Sequence, residues 1–126
     1  MPEHAEFVRI MSLQKSKGLT SKVVIVLGCI EGLIPFVDSK ERTTERAEIL
    51  REQRRFFYVA MTRPTEILII SSFVSIDRKL AYKVGAVVRH GAGAQTPTVA
   101  SRFLGELGPN APEPKSGRAW RNDGYD

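Results

Sequence analysis

Three apolar segments alternate with polar ones along this chain, and they predict most of its regular structure. Residues 7–13 are rich in β-formers, and residues 23–27 (Val-Val-Ile-Val-Leu) and 67–71 (Ile-Leu-Ile-Ile-Ser) form two denser apolar runs. Each segment predicts a strand. A continuous β-branched run such as residues 23–27 is typical of a strand covered on both faces, as in a parallel sheet flanked by helices.

Residues 44–62 carry a different pattern, in which charged side chains alternate with Ala47, Leu50, Phe57 and Met61 at helical spacing. This pattern predicts an amphipathic helix with one apolar stripe. Thr43 or Thr44 is the candidate cap at its start. Pro64 predicts the end of the helix, because the residue before a proline avoids helical geometry.

The remaining segments give weaker signals. Residues 28–35 hold two glycines and a proline and predict a turn, residues 83–97 predict a loop or an irregular hairpin, and residues 98–107 predict a short helix. Prolines, glycines and charges dominate residues 108–126, which predicts a flexible tail after a domain at residues 1–107. Three strands leave exposed sheet edges, the first indication that the chain is part of something larger.

Composition narrows the class of protein. The 126 residues are 42% hydrophobic and 26% charged, and the net charge of +5 permits a polyanionic partner without requiring one. A single cysteine, Cys29, excludes an internal disulfide and is expected to be a small core residue. The longest apolar run is far shorter than the roughly 20 residues of a membrane helix, so we expect a cytoplasmic protein that contacts no membrane.

The polar loop before the second apolar run is the first candidate site. Lys15 and Lys17 supply positive charge, Ser16 can donate to a phosphate oxygen, and Gly18 lets the backbone approach a ligand closely. If the loop follows a first strand, it lies at the carboxyl end of a sheet strand, where open α/β sheets bind ligands. The alternative is a solvated turn whose lysines only maintain solubility.

Arg63 is the second candidate, because it lies where the predicted helix stops, just before the third strand. An arginine held there can reach a phosphate across a cleft and stabilise charge during phosphoryl transfer. The alternative is that Arg63 caps the last carbonyls of the helix. His4 and His90 are isolated in the sequence, and we expect no metal site.

In this order the segments resemble the C-terminal motor region of UvrD/Rep-type superfamily I helicases. The resemblance rests on Lys17-Gly18-Leu19, on Gly28 with Glu31-Gly32 and Pro35, on residues 52–63 and on residues 101–107 (Ser-Arg-Phe-Leu-Gly-Glu-Leu). It covers about residues 8–107 and implies an α/β fold, a partial RecA-like (P-loop NTPase-type) lobe with a small, mostly parallel sheet flanked by helices.

The resemblance also implies roles for individual residues. In the family, ATP lies between two RecA-like lobes, and the second lobe directs an arginine to the γ-phosphate. Arg63 falls on that catalytic arginine, Gly18 and Thr20 fall on the part of the loop that contacts ATP, and Gln14, Lys15 and Ser16 fall on the part near single-stranded DNA. The resemblance thus implies one loop that faces both ligands and can couple the nucleotide state to the binding of the DNA strand.

Three positions depart from the family pattern. Gln14 stands where histidine is usual, Thr20 stands where a ribose-contacting glutamate is usual, and Pro64 replaces a common alanine. The departure at Thr20 predicts a weaker or differently arranged nucleotide contact. The departure at Pro64 affects mainly the path of the chain as it leaves the helix.

The 126 residues contain neither a G-x-x-x-x-G-K-[ST] phosphate loop nor an acidic D-E-x-x-D box. We therefore expect no ATPase or unwinding activity from this polypeptide alone. ATP with magnesium would bind only when a protein or chain supplying the first RecA-like lobe completes the site.

Three hypotheses follow. The leading one is a C-terminal fragment or split subunit of an ATP-dependent DNA helicase, with single-stranded DNA and the missing lobe as partners. The second is a non-enzymatic remnant that binds nucleic acid or protein, and the third is an unrelated small α/β binding domain.

Overall fold

The computed structural model describes residues 8–36 and 40–123. Within these residues a short 3-10 helix, Leu13–Ser16, precedes a series of four strands and four α-helices. In chain order these are β1 (Ser21–Val26), α1 (Thr43–Met61), β2 (Pro64–Ile70), β3 (Ser75–Asp77), α2 (Arg78–Val84), β4 (Gln95–Pro97), α3 (Arg102–Gly105) and α4 (Gly117–Asp123).

Strands β1 and β2 form a two-stranded parallel sheet, and α1 is the crossover helix between them. Val24 lies beside Leu68, and Val26 lies beside Ile70. These four side chains belong to the main core, at whose centre Phe57 of α1 and Phe103 of α3 are fully buried. The predicted α/β fold with a small parallel sheet is confirmed, and it is compatible with part of a RecA-like lobe.

A second, smaller unit follows β2. Strands β3 and β4 pair antiparallel, and Ile76 of β3 packs with Ile30, Ala81 and Ala86 in a separate cluster. Strand β4 falls inside the segment predicted as a loop or irregular hairpin. The sequence analysis predicted neither β3 nor α2. Both are too short for a clear hydrophobic period, although Asp77 caps α2 by accepting a hydrogen bond from the Leu80 N–H at 3.0 Å.

The predicted strand at residues 7–13 is wrong over residues 8–12, which have no regular structure, and Phe7 lies outside the described residues. Val8 and Ile10 are 90% and 95% exposed. A strand needs a neighbour to complete its backbone hydrogen bonds, and β1 pairs only with β2 among the described strands. Residues 8–12 are rich in β-formers, but no neighbouring described strand pairs with them, so they form no strand.

The predicted cap of α1 is also wrong. The helix begins at Thr43, so that Thr43 and Thr44 lie inside its first turn, and Arg42 occupies the cap position without a side-chain hydrogen bond. The end of α1 agrees with the prediction, because the helix stops at Met61, three residues before Pro64.

The segment at residues 98–107 is helical only over α3, where the Ser101 hydroxyl accepts from the Phe103 N–H. Two residues before α3 form isolated antiparallel β-bridges, Thr98 with Val88 and Ala100 with Ile30. The C-terminal stretch predicted as a flexible tail includes helix α4, and the domain boundary at residue 107 stays a prediction.

Candidate functional site

The loop before β1 carries most of the predicted site residues. Gln14, Lys15 and Ser16 lie on the 3-10 helix, where Gln14 and Lys15 are exposed and the Ser16 hydroxyl donates to the Leu13 carbonyl at 2.6 Å. Because Ser16 is engaged in this way, its hydroxyl stiffens the turn, while the two longer side chains reach into solvent.

Gly18 and Thr20 follow on the same loop. Gly18 has φ +81°, a conformation that favours glycine, and no atom lies within 4 Å of the place where a Cβ would stand. Thr20 is exposed, and its carbonyl accepts from Arg9 Nη2 at 3.3 Å. The loop therefore presents an open backbone surface beside exposed Lys15 and Lys17.

Arg63 lies just past α1 and is half-buried. Its Nε donates to the Val59 carbonyl at 3.2 Å, and its Nη2 donates to Thr62 Oγ1 at 3.0 Å. Thr62 Oγ1 in turn donates to the same Val59 carbonyl at 2.7 Å. In this conformation the side chain caps the helix, as the structural alternative for Arg63 predicted.

The main chain brings Arg63 and the loop together. The Ser21 N–H, directly after Thr20, donates to the Arg63 carbonyl at 3.2 Å, and Ser21 is the register partner of Pro64. The 3-10 helix also packs against α1. The arginine and the glycine-bearing loop therefore lie on the same side of the molecule, at one end of the parallel sheet.

That end is the amino end of β1 and β2, which corrects the expected position at the carboxyl end of a strand. The expectation depended on a first strand at residues 7–13, and without that strand the loop leads into β1 rather than out of its neighbour. The general placement of ligands at carboxyl ends therefore does not apply to this loop.

Two salt bridges join motif segments that lie outside the loop and Arg63. The sequence analysis did not predict them. Arg102 donates to Glu31 from its Nη2 at 3.0 Å, and Arg54 makes a two-point contact with Glu106 at 2.9 Å for each bond. Glu106 also accepts from the Tyr58 hydroxyl at 3.4 Å. The partners are 71 and 52 residues apart, so no local spacing could have paired them.

These contacts change the acid–base properties of the paired groups. The hydrogen bond from Arg54 holds the pKa of the Glu106 carboxyl below its usual range. Hydrogen bonds to Glu106 and Glu31 raise the pKa of Arg54 and of Arg102. Arg54 and Glu106 therefore carry opposite charges at neutral pH, and their bridge is an ion pair.

Cys29 is completely buried in the main core, which confirms its prediction as a core residue. Desolvation by burial raises the pKa of its thiol to about 11. A thiol with this pKa stays protonated at neutral pH and is a poor nucleophile.

Within residues 8–36 and 40–123, no three His, Cys, Asp or Glu side chains converge on a position that could hold a metal ion. The same part of the chain contains no helix that is both long and apolar enough to cross a bilayer.

The chain is similar to a known family of helicase domains and to individual helicases. Residues 2–75 match the model of the UvrD-like helicase C-terminal domain. The chain is 45% identical over 65 residues to a putative ATP-dependent DNA helicase, YjcD, of Bacillus subtilis, a match that covers 51% of this chain and 9% of the relative.

Two further relatives match over a longer stretch. ATP-dependent DNA helicase UvrD1 of Mycobacterium tuberculosis is 34% identical over 108 residues, which is 85% of this chain and 12% of that protein. ATP-dependent DNA helicase Rep of Buchnera aphidicola is 30% identical over 118 residues, or 94% of this chain and 14% of that protein. The chain thus spans about one tenth of the length of these relatives, and it belongs to the family of UvrD-like helicase C-terminal domains.

Proposed function

We propose that this chain supplies one half of an ATP site and part of a single-stranded DNA contact to a helicase motor, as a fragment or a split subunit whose ATP site is completed by a first RecA-like lobe. In this proposal Arg63 is the arginine that meets the γ-phosphate. Gly18 and Thr20 contact the nucleotide, and Gln14, Lys15 and Ser16 contact the DNA strand. The relatives named above are ATP-dependent DNA helicases, which supports ATP and DNA as the two ligands.

The observation that carries the proposal is the hydrogen bond from the Ser21 N–H to the Arg63 carbonyl at 3.2 Å. It holds Arg63 and the loop next to each other, immediately before the paired strands β2 and β1. A phosphate that meets the arginine would therefore lie close to the loop, and a change at the nucleotide has a short covalent path to the residues proposed to hold DNA.

The present hydrogen bonds of Arg63 are ones that the side chain can give up when a phosphate binds. Its guanidinium bonds a main-chain carbonyl and a hydroxyl, both neutral acceptors. A phosphate oxygen carries negative charge and can accept two parallel hydrogen bonds from a guanidinium, so it attracts Arg63 more strongly than a neutral oxygen does. The side chain can therefore exchange its cap contacts for a γ-phosphate without leaving an ion pair behind.

ATP in this class of enzyme carries magnesium, which neutralises phosphate charge during transfer. The charged side chains within the loop, Lys15 and Lys17, and the neighbouring Arg63 are cationic, and they suit phosphate rather than a metal ion. In this proposal magnesium is held by the first RecA-like lobe and by the nucleotide, and these 126 residues alone would not hydrolyse ATP.

The test begins with the complex that the tagged chain forms in its own cells. ATP turnover of this complex is measured with the unaltered chain, with Arg63→Ala and with Arg63→Lys. Loss of an arginine finger slows turnover by about 10³- to 10⁵-fold, and lysine should restore little of it because it lacks the planar fork.

Arg51→Ala is the matched control, because Arg51 is an exposed arginine on α1, three turns before its end. It should leave turnover unchanged. A complex that hydrolyses ATP normally with Arg63→Ala would remove the catalytic assignment.

One observation favours the second candidate function, a binding module without ATP turnover. The guanidinium of Arg63 already has partners at the end of α1, and Thr20 brings no carboxylate to meet a ribose. The same purification separates the two functions, because a module of this kind would co-purify with no protein that carries a phosphate loop.

A further inference from the structure

Thr62, the residue before Arg63, makes two hydrogen bonds through its hydroxyl. Its Oγ1 donates to the Val59 carbonyl at 2.7 Å and accepts from Arg63 Nη2 at 3.0 Å. A threonine hydroxyl has one hydrogen and two lone pairs, so it can make both bonds at the same time. Thr62 is also the cap residue at the end of α1. Its hydroxyl therefore links the guanidinium of Arg63 to the last turn of the helix.

The other hydrogen bond that holds the Arg63 side chain has a crowded acceptor. The Val59 carbonyl accepts from the Thr62 N–H at 3.0 Å, from Thr62 Oγ1 at 2.7 Å and from Arg63 Nε at 3.2 Å. A carbonyl oxygen offers two lone pairs, so the three donors share them, and the bond from Arg63 Nε is the longest. The bond to Thr62 Oγ1 is therefore the firmer of the two that hold the guanidinium.

The two donors of Arg63 belong to one edge of the guanidinium, the planar fork that suits anions. The same two atoms of Arg54, Nε and Nη2, hold the Glu106 carboxylate at 2.9 Å each. In Arg63 this fork is occupied by the Val59 carbonyl and the Thr62 hydroxyl. A phosphate that binds the fork as Glu106 binds Arg54 must therefore displace Thr62.

We propose that Thr62 is a positioning residue, which holds Arg63 at the end of α1 and competes with the γ-phosphate for its guanidinium. The γ-phosphate in this inference rests on the proposed function, whereas the hold on Arg63 rests on the hydrogen bonds alone. Only molecules in which the fork is free can bind phosphate in this way, so the hold lowers the apparent affinity. The net value of one hydrogen bond corresponds to an effect of about 2- to 10-fold.

The first test measures the hold itself in the 126-residue chain. The order parameter of the Arg63 Nε–H bond, from nitrogen-15 relaxation, reports how freely the guanidinium moves on the ps–ns timescale. Thr62→Val removes the hydroxyl and keeps a side chain of similar shape, so it should lower this order parameter, whereas Thr62→Ser should retain it. Thr44→Val is the matched control, since it removes an exposed hydroxyl from the first turn of α1.

The second test measures ATP turnover against ATP concentration in the complex that the tagged chain forms in its own cells. Thr62→Val should lower the half-saturating ATP concentration about 2- to 10-fold, because more molecules have a free fork. Maximal turnover should stay unchanged, because at saturation the phosphate has already displaced Thr62. Thr62→Ser should behave like the unaltered chain. A purely structural role of Thr62 would not lower the half-saturating concentration.

Two results would overturn the proposal. One is an unchanged Arg63 order parameter in Thr62→Val. The other is a half-saturating ATP concentration that stays the same or rises in Thr62→Val, although Arg63→Ala suppresses turnover. If Arg63→Ala leaves turnover normal, the proposed function fails and the competition with the γ-phosphate fails with it, whatever the order parameter shows. Circular dichroism of each variant checks that the fold is retained.

Discussion

Two glycines of the motif segments have different physical reasons for being glycine. Both have positive φ, +81° at Gly18 and +98° at Gly32. A Cβ at Gly18 would stand in open space, whereas a Cβ at Gly32 would clash with the Gly85 carbonyl and lie 2.7 Å from Ala86 Cα. Gly32 therefore lets the turn after β1 pack against the chain after α2, while Gly18 meets only a backbone requirement.

Substitution by alanine should separate these two reasons. Gly18→Ala should lower the free energy of unfolding by about 1–2 kcal/mol, the cost of a left-handed conformation for an L-residue. Gly32→Ala adds a clash with main-chain atoms that cannot rotate away, and should be clearly more destabilising. Urea unfolding measures both, and equal losses would contradict the close approach at Gly32.

The neighbouring phenylalanines of α1 offer a second comparison at this scale. Phe57 is completely buried and packs on Phe103 with ring centroids 5.3 Å apart, while Phe56 is only half-buried. Phe57→Ala should cost about 3–5 kcal/mol because it leaves a cavity in the main core. Phe56→Ala should cost substantially less, and the reverse order in urea unfolding would place the core on the wrong face of α1.

At the scale of elements, α1 and the segment after α3 are joined by Arg54 and Glu106. The guanidinium of Arg54 also lies 5.6 Å from the centre of the Phe103 ring. The pair is about one-third exposed, so it orients the two segments more than it stabilises them.

This pair predicts a specific pH dependence. Because the pKa of Glu106 is lowered in the folded state, its stabilising contribution is present above the unfolded value of about 4.3. The contribution is lost as the pH falls through the lower, folded pKa. The stability difference between the unaltered chain and Glu106→Gln should therefore be largest near neutral pH and shrink in acid.

The measurement is urea unfolding from neutral to acidic pH at two salt concentrations. A double-mutant cycle with Arg54→Ala isolates the pair from other groups that titrate in the same range. A coupling between the two residues that stays constant across the acidic range would show that the ion pair is not its source.

At the scale of the whole molecule, the parallel sheet has two apolar faces and α1 covers one of them. Val24 and Val26 point into the core with Phe57, and their neighbours Val23 and Ile25 point the other way. Val23 is 39% exposed and Ile25 is 54% exposed. Since parallel sheets are normally covered on both faces, the isolated chain leaves exposed a surface that is usually buried.

This surface predicts self-association of the isolated chain as its concentration rises, because exposed apolar patches are prone to association. Ile25→Lys should reduce the association, which sedimentation velocity would detect as a smaller average mass. Val87→Lys is the matched control, since Val87 is 50% exposed and lies outside the parallel sheet. A chain that remains monomeric throughout, or equal effects of both variants, would contradict this prediction.

Elements that depend on local sequence could be predicted, whereas contacts between distant residues could not. Residues 23–27 and 67–71 were recognisable as strands because they are short, continuous apolar runs, and residues 44–62 were recognisable as a helix because they carry a helical hydrophobic period. The proximity of Arg63 to the loop at residues 18–20 also agreed with the motif order. The segment at residues 7–13 failed as a strand because propensity does not provide a pairing partner.

The family, the α/β class and the candidate arginine could all be predicted from the amino acids alone, because they depend on local patterns and on the order of short motifs. Folding was needed to show that the loop lies at the amino end of β1, that Arg63 caps α1 and that Glu31 pairs with Arg102. Contacts of this kind join residues far apart in the chain, and no local pattern of side chains specifies which of them will meet.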